Sequence, residues 1–260
     1  FDNDGDSDAF VGRSMGPSMF FINQDGTFQP HEEINQILAE TRFVLAASVS
    51  DVNRDGLLDL YLSTYAYGQG ELKDWFEQTT RVEERLKTRL KIERAHTYVD
   101  RGGPPNILLM NRGGSFEWAK IGDSLKQYRD SYQSVWTDLD LDGDLDVYVC
   151  VYGEGDGDSG GRGFETRSPV PFEDAQNGGS NVLLENLGGF GFADVTDKVG
   201  MGKNNTRWSF AASWEDYDRD GDPDLYVAND FGRNCLYRNE SGKFLEIGES
   251  AGVEDTAAGM

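Results

Sequence analysis

The sequence predicts an all-β protein, a β-propeller of four-stranded blades, and three observations carry the prediction. An acidic nine-residue loop with the same spacing of aspartates occurs four times along the 260 residues. Each loop is flanked by short runs that alternate apolar and polar residues, the pattern of β-strands. Each loop is followed by the pattern of a second hairpin. It consists of an apolar run, a turn that contains Asn and Gly, and an aromatic residue that begins the next strand. Two hairpins per repeat make a four-stranded meander, which is a propeller blade.

The acidic loop is clearest between Asp216 and Asp224, with carboxylates at positions 1, 3, 5 and 9 and glycine at position 6. Two more complete copies span residues 51–59 and 138–146, and a truncated first copy begins at position 3 with Asp2. So dense a run of acids repels itself unless a cation neutralises it, and oxygen ligands on alternate residues suit Ca²⁺. We expect side-chain oxygens at positions 1, 3, 5 and 9, and the carbonyl at position 7, as ligands. The predicted metal-site residues are Asp2, Asp4, Asp6, Asp8, Asp51, Asn53, Asp55, Leu57, Asp59, Asp138, Asp140, Asp142, Asp144, Asp146, Asp216, Asp218, Asp220, Asp222 and Asp224.

An EF-hand loop is the nearest rival to this interpretation, because it shares the first nine positions. It also requires an acidic ligand at position 12 and a helix on either side. Here position 12 is Leu62, Val149 or Val227, and the flanking patterns are those of strands. We therefore reject the EF-hand. Acidic surface turns without a metal are the other alternative, but solvation alone does not explain why the spacing recurs four times.

The repeats differ in length at one place, between the second and third strands of a unit. The second unit carries an insertion at residues 70–100 and the third at residues 153–179. In an up-and-down meander this connection lies at the opposite end from the metal loop, so the sequence predicts a calcium face and an insertion face. Apolar residues at helical spacing in 70–100 predict an amphipathic helix, which either caps the blades or binds a partner. The Gly- and Asp-rich segment 153–179 predicts a long loop.

The acidic composition excludes two classes of partner. Lys and Arg number 24 against 47 Asp and Glu, which gives a formal charge of −23. Such a surface repels the phosphates of nucleic acids and anionic membranes. No apolar run is long enough to cross a bilayer, so we predict no membrane insertion. Cys150 and Cys235 lie in strand-like runs, which favours two buried thiols over a disulfide.

Two combined motifs resemble a known family. The loop D-x-[DN]-x-D-G-x-x-D between strands, followed by N-x-L-x-x-N-x-x-G-x-F, resembles the FG-GAP/VCBS repeat of integrin α-subunit propellers and secreted bacterial proteins. The variant W-x-D-Y-D-x-D-G-D-x-D-L-Y-V-A-N at residues 214–229 is similar to that of cartilage acidic protein and the ASPIC/UnbV group. The resemblance covers the chain as one propeller region, 1–260. It implies a seven-bladed calcium-binding propeller, of which about four blades are present, so we expect a fragment.

One motif suggests an enzyme. Gly12-Arg13-Ser14-Met15-Gly16 matches G-x-S-x-G, but a nucleophile elbow needs a helix directly after the serine, and a strand pattern follows here. The only imidazoles, His31 and His96, lie in segments without a catalytic pattern. Paired carboxylates also occur in glycosidases, but the metal loops already account for their spacing. We therefore predict no catalytic residues and no enzyme.

The resemblance implies an adhesion or ligand-binding module at the cell surface, in the extracellular space or in the periplasm. We expect its ligand, a protein or a carbohydrate, to meet the insertion face. The alternative is an accessory part of a secreted carbohydrate- or lipid-active enzyme whose catalytic residues lie outside this sequence. A third possibility is a structural spacer. A catalytic domain elsewhere in the full-length chain would favour the enzyme.

Overall fold

The computed structural model describes residues 1–2, 4–13, 16–65, 105–127, 129–153, 169, 171 and 173–255. In this part of the chain, fifteen strands form four antiparallel sheets, which we name blades I to IV. Blade I contains β1 Ala9–Val11, β2 Met19–Gln24 and β3 Thr27–Pro30; blade II contains β4 Val44–Ser50, β5 Asp59–Thr64, β6 Ile107–Asn111 and β7 Phe116–Trp118. Blade III contains β8 Asp130–Thr137, β9 Asp146–Gly153, β10 Val182–Asn186 and β11 Phe192–Asp194; blade IV contains β12 Ser209–Glu215, β13 Asp224–Asn229, β14 Cys235–Asn239 and β15 Phe244–Glu246.

Every sheet is a meander in which strands consecutive in the chain are neighbours. Blades II, III and IV have four strands, whereas blade I has three. The first acidic loop precedes β1, so β1 occupies the place of a second strand and blade I shows strands two to four. The predicted all-β class and four-stranded blades are therefore confirmed. The ring of seven blades stays a prediction.

Successive blades pack face to face around three apolar cores. The core between blades I and II is built around Phe20, Leu62 and Leu109. A second core, between blades II and III, includes Tyr61 and Val149, and the blade III–IV core includes Tyr148 and Cys150. The first strands β4, β8 and β12 lie beside one another. This is the radial packing of blades in a propeller.

The alternation along the second strands divides side chains between two cores. In β5, which is buried along its whole length, Leu60 and Leu62 pack against blade I, while Tyr61 packs against blade III. The same split occurs in β9, where Val149 faces blade II and Tyr148 faces blade IV. Period two in a strand ordinarily indicates one buried and one solvated face. Here both faces are buried, because each blade is covered by its neighbours.

Short helices follow the last strand of each blade. The described helices are α1 Glu32–Leu38, α2 Asp123–Lys126, α3 Thr196–Val199 and α4 Gly248–Ala251. The His31 Nδ1 atom accepts the N–H of Ile34 at 3.2 Å, so this imidazole is the N-cap of α1. None of the helices in the described residues is long and apolar enough to cross a membrane.

Both long connections join second to third strands. One runs from β5 to β6 and the other from β9 to β10, at the ends of the blades opposite the acidic loops. The helix predicted at 70–100 lies outside the described residues. Of 153–179, the described part holds the end of β9 and no further strand or helix. His96 and Ser14 also lie outside the described residues, and the first element after Gly16 is the strand β2.

Candidate metal centres

The acidic loops join the first and second strands of blades II, III and IV. We name them loop B (residues 51–59), loop C (138–146) and loop D (216–224); loop A (2–8) precedes blade I. In each complete loop the aspartate at position 1 accepts the N–H of the glycine at position 6, which draws the loop closed. These bonds join Gly56 to Asp51 at 2.8 Å, Gly143 to Asp138 at 2.9 Å and Gly221 to Asp216 at 3.1 Å. All three glycines have positive φ, between +83° and +100°, a conformation that favours glycine.

Further backbone bonds hold the carboxylates on alternate residues. The amide at position 5 donates to the side chain at position 3, and the amide at position 7 donates to the aspartate at position 5. In loop D, for example, the Asp220 N–H donates to Asp218 at 3.3 Å and the Asp222 N–H donates to Asp220 at 3.0 Å. Loop A keeps the same pair of contacts at Asp2, Asp4 and Asp6. The loop backbone therefore preorganises the acids.

The aspartate at position 9 is buried and connects three strands. In loop C, Asp146 accepts the N–H of Leu139 at 2.8 Å through one oxygen and the N–H of Asn186 at 2.8 Å through the other. Asp59 and Asp224 accept the equivalent pairs of amides, and Asp8 accepts the amide of Asn23. Burial raises the pKa of all three position 9 acids in loops B, C and D, and that of Asp146 to about 6.

An asparagine at the end of each third strand completes this arrangement. The Asn186 side chain accepts the N–H of Gly188 at 3.0 Å and donates to the carbonyl of Leu145, at loop position 8, at 3.2 Å. Asn23, Asn111 and Asn239 make the same two contacts in their blades. The sequence placed these asparagines in turns because they recur, but their contact with the acidic loops joins residues far apart in the chain.

Two of the loops bring three carboxylates close enough to hold a metal ion. Oxygens of Asp138, Asp140 and Asp146 lie within 4.8 Å of one another, as do those of Asp216, Asp218 and Asp224. In loop C, the Oδ1 atom of Asp138 is buried and has no hydrogen-bond partner among the described residues. A buried carboxylate oxygen without a partner is costly, and a cation would satisfy it. The donor set therefore fits a hard metal ion.

Loop B differs because Asn53 replaces an aspartate at position 3. Its amide group donates to Asp55 at 2.9 Å, which occupies one of the carboxylate oxygens. Among the described residues, only loops C and D form an acidic triad.

The side chains at position 7 have partners other than the acids of their own loop. The Asp144 side chain pairs with Arg54 and the Asp222 side chain accepts the Ser241 N–H at 2.8 Å, so neither side chain is directed at its own loop.

Position 12 is apolar and buried in all three complete loops. Leu62, Val149 and Val227 lie within β5, β9 and β13 and contribute to the cores between blades. These residues have no side-chain oxygen to offer as a twelfth-position ligand, and strands flank the loops. The loops are therefore those of blade hairpins.

A cluster of aromatic residues lies at the opposite end of the blades. Each first strand has a bulge there, with an extra residue between paired neighbours. The extra residues are Leu45, Tyr132 and Phe210. The Tyr132 ring stacks on Tyr152 at 4.3 Å between centroids and contacts Phe210 at 5.2 Å. We name the residues Tyr65, Tyr132, Tyr152, Trp208, Phe210 and Asp230 the insertion-face cluster.

One feature of the insertion-face cluster is unusual for simple packing. The φ of +61° at Trp208 is not that feature, because Phe43, at the equivalent position of blade II, has φ of +59° and is buried. The Tyr152 hydroxyl donates to one oxygen of Asp230, and the other oxygen is buried without a hydrogen-bond partner among the described residues. Phe210 is 54% exposed. β-Bulges often occur beside binding sites, where they redirect side chains.

Sequence comparison agrees with this geometry. Residues 1–62 match the family model described as the FG-GAP-like repeat. The matched segment runs from loop A through blade I and loop B into β5, and the same loop and hairpin pattern recurs in blades III and IV. The match supports an FG-GAP repeat protein. No curated protein matches the chain. The likeness to cartilage acidic protein and the ASPIC/UnbV group stays a prediction.

Proposed function

We propose that the protein is a calcium-stabilised propeller module that binds a ligand outside the cytoplasm. The observation that carries the calcium part is the pair of aspartate triads in loops C and D, with the unpartnered buried Oδ1 atom of Asp138. All these ligand atoms are oxygens, and the loops supply them on alternate residues. Hard cations with flexible coordination, above all Ca²⁺, prefer such a set.

The proposed role of the ion is structural. The carboxylate of Asp146 already connects loop C to β10 through two backbone amides. An ion held by Asp138, Asp140 and Asp146 would join the first and second strands to the third. It would also neutralise acids that otherwise repel one another. Bound calcium is therefore expected to stabilise the blades and to take no part in catalysis.

The calcium affinity that is typical of such loops agrees with the proposed location. Calcium loops of extracellular modules bind with dissociation constants of roughly 10⁻⁴ to 10⁻³ M. Loops of that affinity stay empty at cytosolic calcium concentrations and fill outside the cell. FG-GAP repeats are also typical of extracellular proteins. We therefore place the protein outside the cell, on its surface or in the periplasm.

The insertion-face cluster is the proposed ligand-binding surface. Exposed Phe210 and half-buried Tyr132 offer apolar ring faces, and Asp230, bonded to the Tyr152 hydroxyl, adds a carboxylate to the cluster. Ligand sites commonly combine aromatic walls with a few polar groups in this way. The proposed ligand is a protein or a neutral or basic carbohydrate, because the charge of −23 disfavours anions.

Calorimetry at millimolar calcium tests the metal part of the proposal. We expect heat of binding from the intact protein and a higher melting temperature in calcium than in chelator. Absence of calcium uptake at millimolar concentration would refute it.

Ligand binding requires a separate experiment. The protein is screened against arrayed oligosaccharides and a panel of extracellular protein domains, and any ligand found is tested with Phe210→Ala. The matched control is Leu245→Ala, since Leu245 is similarly exposed at 52% but lies on the outer strand β15. We expect only Phe210→Ala to weaken binding, with both variants folded. Equal binding by the two variants would place the ligand elsewhere.

A further inference from the structure

One contact joins the acidic loops of neighbouring blades. Arg54, at position 4 of loop B, forms an ion pair with Asp144, at position 7 of loop C. The Nη1 atom of Arg54 also lies 3.3 Å from the place that a Cβ atom on Gly143 would occupy. The guanidinium group therefore lies against the second half of loop C, although it belongs to blade II.

The arginine occupies a loop position with an unusual backbone conformation. Position 4 is left-handed in all three complete loops, with φ of +59° at Arg54, +61° at Leu141 and +65° at Arg219. Left-handed conformations are uncommon outside glycine, asparagine and aspartate, so the loop geometry imposes them. In loop B this position carries an arginine, and its charge reaches the next blade.

The two residues that Arg54 touches also position the acids of loop C. The Gly143 N–H donates to Asp138 at 2.9 Å and the Asp144 N–H donates to Asp142 at 2.7 Å. The positive charge of Arg54 consequently lies against residues that hydrogen-bond to Asp138 and Asp142, two of the carboxylates of loop C. It also compensates the negative charge of Asp144, which would otherwise attract a cation.

Among the described residues, loops C and D do not provide this contact. Leu141 takes the place of the arginine in loop C and is 65% exposed, and loop D's Asp222 accepts a hydrogen bond from its own blade. Arg219 has the same position in loop D but forms no ion pair with any residue in the described ranges. An arginine from a neighbouring blade therefore lies beside loop C, whereas the described residues place none from a neighbouring blade beside loop D.

We propose that Arg54 lowers the calcium affinity of loop C from the neighbouring blade and so makes the occupancy of that loop depend on ionic strength. This inference rests on the proposed calcium function. A unit charge about 8 Å from a divalent ion changes affinity roughly fivefold in water, by Coulomb's law. Salt screens such an interaction between partly exposed groups. Loop C then needs more calcium than its five aspartates alone would require.

A site-resolved titration tests the proposal. Protein labelled with ¹⁵N-glycine is titrated with calcium, and the amide signals of Gly143 and Gly221 report on loops C and D separately. In Arg54→Gln we expect the midpoint at Gly143 to fall about fivefold at low ionic strength, and the Gly221 midpoint to stay unchanged. The difference should shrink toward unity in 1 M salt, where the Debye length is about 3 Å.

Four further variants separate charge from shape. Arg54→Lys keeps the charge and should leave the Gly143 midpoint near that of the wild type. Asp144→Asn should raise the midpoint, and the double variant Arg54→Gln/Asp144→Asn should bring it back toward the wild type. Arg219→Gln, which removes the matched arginine without an ion pair, should not change the Gly143 midpoint.

The titration distinguishes failure of the role proposed for Arg54 from failure of the proposed calcium function. If Gly143 and Gly221 do not respond to calcium in the wild type, the proposed calcium function is wrong. If both respond but Arg54→Gln leaves the Gly143 midpoint unchanged or raises it, the calcium function stands and the role of Arg54 is overturned.

Discussion

Asp146 accepts the backbone N–H of Asn186 at 2.8 Å, and this bond joins the last residue of loop C to the end of β10. The two residues are 40 positions apart in the sequence. The same pairing joins Asp59 to Asn111 and Asp224 to Asn239. Each blade therefore holds its acidic loop against its third strand, and each asparagine in turn bonds back to loop position 8. The loops are part of the blade framework as well as candidate metal centres.

Asn186→Ala is expected to destabilise the protein by about 1–3 kcal/mol, because the substitution leaves the carbonyl of Leu145 and the amide of Gly188 without their partner. Unfolding in urea, monitored by tryptophan fluorescence, measures the change. Leu187→Ala is the control, since Leu187 lies in the same turn but is exposed. A similar loss in both variants would contradict the role assigned to the asparagine.

Stability without metal should decrease as pH rises from about 4 to about 6. Burial raises the pKa of Asp146 from 3.8 to about 6, so the folded state binds this proton more tightly than the unfolded state. The contribution is fully present below the unfolded pKa and is lost as pH rises through the folded pKa. Urea midpoints measured in chelator across this range test the prediction.

Asp146→Asn provides the comparison for this pH dependence. The asparagine does not titrate, so its variant should show a shallower decrease between pH 4 and 6. Calcium requires the ionised carboxylate, so its stabilising effect on the wild type should be larger at pH 7 than at pH 5. An unchanged slope in Asp146→Asn would assign the pH dependence to other groups.

Asp220→Ala should remove one bound calcium ion per molecule. Asp220 is at position 5 of loop D and accepts the N–H of Asp222 at 3.0 Å, so its loss removes a ligand and loosens the loop. Calorimetric stoichiometry, compared with the wild type, measures the change. Glu215→Ala removes a nearby exposed acid at the end of β12 and should leave the stoichiometry unaltered. A full complement of ions in Asp220→Ala would exclude Asp220 as a required ligand and leave the triad of Asp216, Asp218 and Asp224 as the candidate site.

Tyr61→Phe should destabilise the protein by about 1–3 kcal/mol. The hydroxyl of Tyr61 donates to the carbonyl of Leu125 at 2.6 Å and accepts from Asn106 at 3.1 Å, and all these groups are buried. Tyr226→Phe is the control, because its hydroxyl bond to Val253 is exposed. Thermal unfolding should distinguish the two variants, and equal melting temperatures would contradict the prediction.

The loops and hairpins could be predicted without the structure, because they depend on the spacing of residues that are close in the sequence. The contacts inside a loop join residues two to seven positions apart, as between Asp216 and Gly221 or Leu139 and Asp146, so the order of residues determines them. The strands of each meander also follow one another in the chain. The loop positions, the four-stranded blades and the location of both long connections could therefore be predicted from the sequence.

The sequence by itself determined which residues form the acidic loops and the order of the strands, since these depend on neighbours along the chain. Only the tertiary structure decided what those elements touch. The alternation in β5 proved to divide Leu62 and Tyr61 between two cores, because blades cover both of its faces. Likewise, the raised pKa of Asp146 and the reach of Arg54 to Asp144 arise from packing between strands and between blades. Spacing along one chain segment does not encode such distances, because they are set when separate repeats pack together.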